Sequence, residues 1–200
     1  MHIGDIIEFD KYKWRVLDIQ DHKALIITEY ILEHRSYHKA YIPITWAECS
    51  LREYLNGEFY DKFSEKNKAR IIPVINKNLD NHWYGTTGGA DSEDRIFLLS
   101  LEEATCKCFG DSSSLLYNPG KNQRYWFQRK DINNSKRTAK YEGSIWNSWW
   151  WLRSPGRVGV KAVYIHGDGN IGIQGNNILK GNLDEGECMG GVRPALWLEL

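Results

Sequence analysis

Few side chains in this 200-residue sequence stand at spacings that could do chemistry. His34 and His38 lie four apart, the spacing that sets two imidazoles on one helix face in zinc enzymes. No glutamate follows in H-E-x-x-H order, and Glu33-His34-Arg35-Ser36-Tyr37-His38 comes after a strand without a helix cap, so a surface loop is expected. Cys106-Lys107-Cys108 is a C-x-C pair, whereas Cys49 and Cys188 lie far away. A tetrahedral zinc site ordinarily draws on two paired halves, so reduced, structural thiols are expected. Asp168-Gly169-Asn170 begins like a calcium loop, but Leu179 occupies the twelfth position, where an EF-hand needs an acidic residue. Asp184, Glu185 and Glu187 are carboxylates near the last strand that could hold calcium, although a charged surface loop is the expectation there. No cofactor is otherwise expected, and the chain has no G-x-S-x-G, G-x-G-x-x-G or phosphate loop.

The polar side chains of residues 157–182 offer binding rather than catalysis. Val163, Ile165, Ile171 and Ile173 alternate, and strand periodicity places Tyr164, His166, Asn170, Gly172 and Gln174 on the opposite, solvent-facing side. Asn, Gln, His and Tyr on one β face form an adaptable surface, chemically like an antibody paratope. The candidate ligand-binding residues on that face are Tyr164, His166, Asn170 and Gln174, facing a protein or carbohydrate ligand. Trp146 or Trp149 could serve as a sugar platform, whereas Trp150 and Trp151 are expected in the core because indoles bury large areas. Arg153 and Arg193 are expected to be structural, paired with carboxylates or backbone carbonyls.

The elements that must position these groups make one α+β domain spanning 1–200. Residues 1–32 read as an antiparallel β-meander, with Ile6–Phe9, Trp14–Ile19 and Ala24–Ile27 as its strands. The part from 45 to 110 is helical: Thr45-Trp46-Ala47-Glu48 and Ser100-Leu101-Glu102-Glu103 are capping boxes, and Asn56-Gly57 supplies a stop for the first helix. Between them lie a polar loop at 76–94 and a short buried strand, Arg95–Leu99. Residues 110–145 look irregular. The part from 146 to 200 is β again: a strand through Trp149–Leu152, a hairpin through Ala162–Gln174 and a closing segment Gly191–Leu198, in which Pro194 is expected at an edge or strand start because it lacks an amide donor.

Composition excludes several partners. Twenty-six basic residues balance 26 acidic ones, and a net charge of zero argues against a nucleic-acid binder. No apolar run approaches the ~18 residues of a membrane span, and no signal peptide is visible, so a soluble, cytoplasmic or phage- and mobile-element-associated protein is expected. Composition does not set the oligomeric state. Nine Trp beside eleven Tyr is aromatic-rich, and Trp14, Trp46, Trp151 and Trp197 fall inside scaffold segments.

Two C-terminal motifs carry a resemblance: Trp150-Trp151-Leu152-Arg153-Ser154-Pro155-Gly156 and Gly191-Val192-Arg193-Pro194-Ala195-Leu196. With Trp14-Arg15-Val16-Leu17, Trp46…Cys49-Ser50-Leu51-Arg52…Leu55-Asn56 and Phe97–Leu101…Glu103-Ala104, they resemble a family of bacterial domains of unknown function. By pattern that family is similar to the C-type-lectin-like fold of formylglycine-generating enzymes and to variable proteins of diversity-generating retroelements. The resemblance implies an α+β, C-type-lectin-like domain whose terminal strand pairs with the N-terminal strand. It also implies a non-catalytic ligand-binding module with 157–182 as its display surface, which adds Arg157, Asp168, Asn176 and Asn177, with Lys161 and Asn182 beside them, to the candidate ligand-binding residues. An oxidoreductase or hydrolase is the alternative. It lacks half its apparatus, because Cys188 stands alone where those enzymes carry a cysteine pair before the closing strand.

Overall fold

The computed structural model describes residues 1–118, 131–180 and 189–200. Two five-stranded sheets organise them. The first is wholly antiparallel. It joins β1 (Ile6–Phe9), β2 (Tyr12–Gln20), β3 (Lys23–Thr28) and β5 (Ile71–Ile72) with the terminal strand β14 (Ala195–Glu199), in the order β1-β2-β3-β14-β5. The second holds β4 (Glu33–His34), β10 (Trp150–Pro155), β11 (Lys161–Ile165), β12 (Ile171–Asn177) and β13 (Gly191–Val192), in the order β12-β11-β10-β13-β4. Only the β10–β13 pairing in it is parallel. Two small hairpins, β6 (Val74–Asn76) with β7 (Ser92–Asp94) and β8 (Ala139–Lys140) with β9 (Asn147–Ser148), complete the strands.

The expected meander is present, with Val16 opposite Ile26 and Ala195 opposite Ile27, so β3 is buried between two neighbours. Pro194 precedes β14, and its carbonyl accepts from the Thr28 amide at 2.9 Å. Trp14, Trp46, Trp150 and Trp151 all lie in one core with the aliphatic residues of both sheets. There each indole removes a large apolar area from water.

The helical part differs from the sequence-based expectation. Trp46–Glu48 is a 3-10 turn, and the Thr45 side chain makes no capping bond. The first α-helix, α1 (Ser50–Tyr54), is capped instead by Cys49, whose Sγ accepts from the Arg52 amide at 3.4 Å. Asn56-Gly57 does not stop it: the chain runs on through a π-helical turn, Leu55–Phe59, and a 3-10 turn, Tyr60–Lys62. Asn56 has other work, accepting from the Arg95 and Ile96 amides and donating to the Ile96 carbonyl. Three short helices follow, α2 (Glu65–Lys68), α3 (Ser113–Tyr117) and α4 (Asn134–Arg137). Arg95–Leu99 is no regular strand; Phe97 alone makes a bridge, to Ala195. The second capping box forms as read: the Ser100 amide donates to Glu103 Oε2 at 2.7 Å, and the Glu103 amide to Ser100 Oγ at 3.1 Å.

Candidate functional site

The expected hairpin forms as β11–β12, with Ile165 opposite Ile171 and Tyr164 opposite Gly172. Its polar side is not the open face that alternation implies. Tyr164 is 1% exposed, Asn170 8% and Asn176 0%, so three of the eight candidate ligand-binding residues are buried. The cover is non-local. Loop 76–94 folds onto this sheet, where buried Asn81 donates from Nδ2 to the Pro155 carbonyl at 2.8 Å and the Ile173 carbonyl at 3.0 Å. At the turn, Asn134 Nδ2 donates to Asn170 Oδ1 at 2.8 Å. The Tyr164 ring lies where a Gly172 side chain would be and meets Trp149 edge-on, with centroids 5.5 Å apart. A glycine facing an aromatic across a strand pair was the one local sign that this ring folds inward.

That packing gives a first prediction. Gly172→Val is expected to cost about 2 kcal/mol in urea denaturation, in the range of overpacking a tight core. Combining it with Tyr164→Ala should recover part of the loss through coupling of the two sites. Additive losses would overturn the packing account.

Five candidates remain at or near the surface: Arg157, His166, Asp168, Gln174 and Asn177. Arg157 lies with its guanidinium 5.9 Å from the Tyr84 ring centre. His166 Nδ1 is 2.9 Å from Asp168 Oδ1. Partial burial disfavours the charged Asp168 carboxyl, but the Asn170 amide and His166 outweigh it and hold the group below its ordinary value. His166, Asp168 and Asn170 form a hydrogen-bonded turn. Asn182, Asp184, Glu185, Glu187 and Cys188 lie outside the described residues. Among those described, no group of three His, Cys, Asp or Glu is placed to hold a metal ion.

The histidine pair separates. His34 is exposed, its Nδ1 2.7 Å from the Tyr141 hydroxyl, whereas His38 is buried and accepts from the Ser50 amide at 3.1 Å. Burial, aided by Lys39, lowers the His38 pKa. Trp149 is buried with Trp151, which removes it as a sugar platform; Trp146 is 76% exposed. Arg153 and Arg193 are structural, as expected: Arg153 pairs with Glu103 and the Leu98 carbonyl, and Arg193 Nε donates to the Thr28 carbonyl at 2.8 Å.

Sequence reasoning missed a cavity of about 890 Å³ over the first sheet. Its wall comes from β2 (Arg15–Asp18 and Gln20), Leu25 of β3 and Trp197 of β14. Its other side comes from the turn 107–110, from Ser135 and Lys136 of α4, and from β8. This volume lies within the ~300–1,000 Å³ typical of small-molecule sites. Two devices set its far wall. Gly110 adopts a φ of +95°, and a Cβ there would meet Asn133 Oδ1, so the turn closes tightly. Arg137 anchors α4 through an ion pair with Asp131 and bonds to Ser112 Oγ and the Ala104 carbonyl.

The charges of the lining are unequal. Arg15 forks onto Glu29 at 2.8 and 2.7 Å, and Glu103 is taken by Arg153. Lys107, Lys136, Lys140 and Arg193 then stand against Asp18. Arg193 is 2% exposed and makes no ion pair among the described residues, and its Nη1 is sealed from solvent without a hydrogen-bond partner. Burial pushes its pKa down to about 10, with Glu29 opposing and Arg15 adding to the shift. A second groove of about 680 Å³, holding Tyr12, Tyr30 and Tyr141, has a mixed charge lining.

The described cysteines are free thiols. Burial pushes Cys49 up to about 12 despite the Arg52 and Leu51 amides, and pushes Cys108 up as well. No helix among the described residues is long and apolar enough to cross a membrane. A family model described as a domain of unknown function (DUF6273) matches residues 21–200. No curated protein and no solved structure matches the chain.

Proposed function

We infer the function of this chain, which belongs to the DUF6273 family of domains of unknown function, from its geometry: it is a non-catalytic ligand-binding module. The observation that carries this reading is the cavity of about 890 Å³, walled by Leu17, Leu25, Phe109 and Trp197 and edged by charged side chains. Apolar walls with a few placed polar groups are what a ligand pocket needs. The C-type-lectin-like organisation rests on the sequence motifs alone, because β14 pairs with β3 and β5 and not with the N-terminal strand β1.

The hairpin stays a second contact surface for a protein or glycan, reduced to Arg157, His166, Asp168, Gln174 and Asn177. A retroelement-diversified version of the module rests on that shorter set. It requires a reverse transcriptase and a template repeat differing at adenines beside the gene. The oxidoreductase or hydrolase reading needs a reactive thiolate at Cys188, which lies outside the described residues, or at the Cys106/Cys108 pair, where burial raises the Cys108 pKa and disfavours one.

A thermal-shift screen with oligosaccharides and small organic molecules tests the module. A ligand at 100 times its Kd stabilises the folded state by about 2.7 kcal/mol, a shift of several degrees. Ser135→Trp, an exposed position on the cavity wall, is expected to abolish the shift with the fold intact. A shift that survives Ser135→Trp but is lost in His166→Ala/Gln174→Ala would move the site to the hairpin.

A further inference from the structure

We propose that the cavity takes an amphipathic organic anion, with a carboxylate or phosphate head on an apolar body. This deepens the ligand-binding reading and rests on it. The lining divides into two parts that match such a molecule. Leu17, Leu25 and Phe109, each mostly buried, and the partly exposed Trp197 form apolar and aromatic walls. Against them stand three exposed lysines, Lys107, Lys136 and Lys140, and the buried Arg193.

The charge balance decides the sign of the ligand. The carboxylates of Glu29 and Glu103 are each engaged by an arginine fork, and Asp18 is held by the Ile19 amide at 2.9 Å and the Gln20 side chain at 2.6 Å. None of the three lysines forms an ion pair among the described residues; Lys136 Nζ donates to Asn133 Oδ1 at 2.9 Å. Arg193 spends its guanidinium on the backbone carbonyls of Thr28 and Glu29 and on the face of Trp150, 5.1 Å away, none of which neutralises it. Its Nη1 is shut behind the wall, so Arg193 acts through its field and the lysines act by contact. A concave site with low-dielectric walls focuses such a field and concentrates ions of the opposite sign. Neutral glycans gain nothing from it, and cations are repelled.

The test uses the full chain and the fluorescence of 8-anilinonaphthalene-1-sulfonate, itself an aromatic anion. Octanoate, octyl phosphate and neutral octanol serve as competitors. One or both anions are expected to displace the probe at concentrations at least about tenfold below octanol, and which of them does so names the head group. Lys136→Glu/Lys140→Glu is expected to weaken the anion about tenfold or more, while Lys66→Glu, on the distant helix α2, leaves it unchanged. Raising salt from about 50 to about 500 mM should weaken wild-type binding and leave the double variant nearly flat. Octanol competing as well as the anions, or a double variant that binds them unchanged, would overturn the anion assignment. A neutral ligand blocked by Ser135→Trp, with no anion bound, would overturn the assignment and leave the binding module standing. Failure of every probe to bind in a Ser135-dependent way would overturn both the anion assignment and the cavity as the module's site.

Discussion

Asp94→Ala is expected to lose about 4 kcal/mol of folding stability, close to the cost of stripping one partner from a buried charge network. Asp94 is a fully buried side chain that draws three chain segments together. Its Oδ1 accepts from Arg52 Nε at 2.5 Å and Asn56 Nδ2 at 3.3 Å. Its Oδ2 accepts from Trp46 Nε1 at 3.0 Å, Asn76 Nδ2 at 2.9 Å and Ser92 Oγ at 2.8 Å. Alanine would leave the Arg52 guanidinium without its carboxylate and several donors unsatisfied away from water, each costing about 1–3 kcal/mol unless it relaxes. Asp94→Asn should fall between, since one carbonyl oxygen survives while the new amide turns a donor toward donors. Urea denaturation followed by far-UV circular dichroism checks this through a lowered midpoint at unchanged slope. A loss below about 1 kcal/mol for Asp94→Ala would show that the hub is dispensable.

What could be read from the sequence, and what could not, follows the distance over which each contact acts. The Ser100–Glu103 box was legible because its partners are three residues apart and need only a helical turn. Alternation placed the strands of the meander and the hairpin correctly, because a strand imposes its period locally. The same alternation misjudged Tyr164, Asn170 and Asn176: period 2 says which residues share a side, not what covers that side. Trp149, between β9 and β10, meets the Tyr164 ring, and Asn134 reaches Asn170 from 36 residues away. Thr45-Trp46-Ala47-Glu48 satisfies the capping-box pattern, yet the Thr45 side chain is packed where a Gly89 side chain would stand, and Trp46 is tied to Asp94. A tertiary contact overrode the local signal there. The cavity had no local signature, since its wall is assembled from residues between Ile3 and Trp197. Arg193 could be assigned a structural role from its motif, but only the fold reveals that it makes no ion pair among the described residues.

Glu103→Gln is expected to lower stability at neutral pH by about 3 kcal/mol and to flatten its dependence on acid. Burial alone would raise the Glu103 pKa, but the Arg153 charge and hydrogen bonds, the Ser100 amide and Lys107 together hold it below its ordinary value. Arg153 Nη1 meets Oε2 at 2.6 Å and Nη2 meets Oε1 at 3.2 Å, while Nη1 also donates to the Leu98 carbonyl at 2.8 Å. A carboxyl whose folded pKa is depressed binds its proton more readily when the chain is unfolded. Its contribution is therefore complete above the unfolded value of about 4.3 and drains away as pH falls through the lower folded value. Wild-type stability should thus decline through this acid window, and the Gln variant, having no proton to gain there, should decline less. The neutral amide keeps an acceptor for the Ser100 amide but leaves the Arg153 guanidinium buried without its counter-charge, which is where the loss at neutral pH originates. Arg153→Met, apolar and unbranched, removes the stranded charge. Combined with Glu103→Gln it should recover part of the loss, a non-additivity of about 1–2 kcal/mol for residues in direct contact. Parallel acid profiles for wild type and Glu103→Gln would refute the linkage. Because Glu103 also stands on the cavity wall, the same pair keeps one carboxylate of that wall occupied and so leaves the balance there positive.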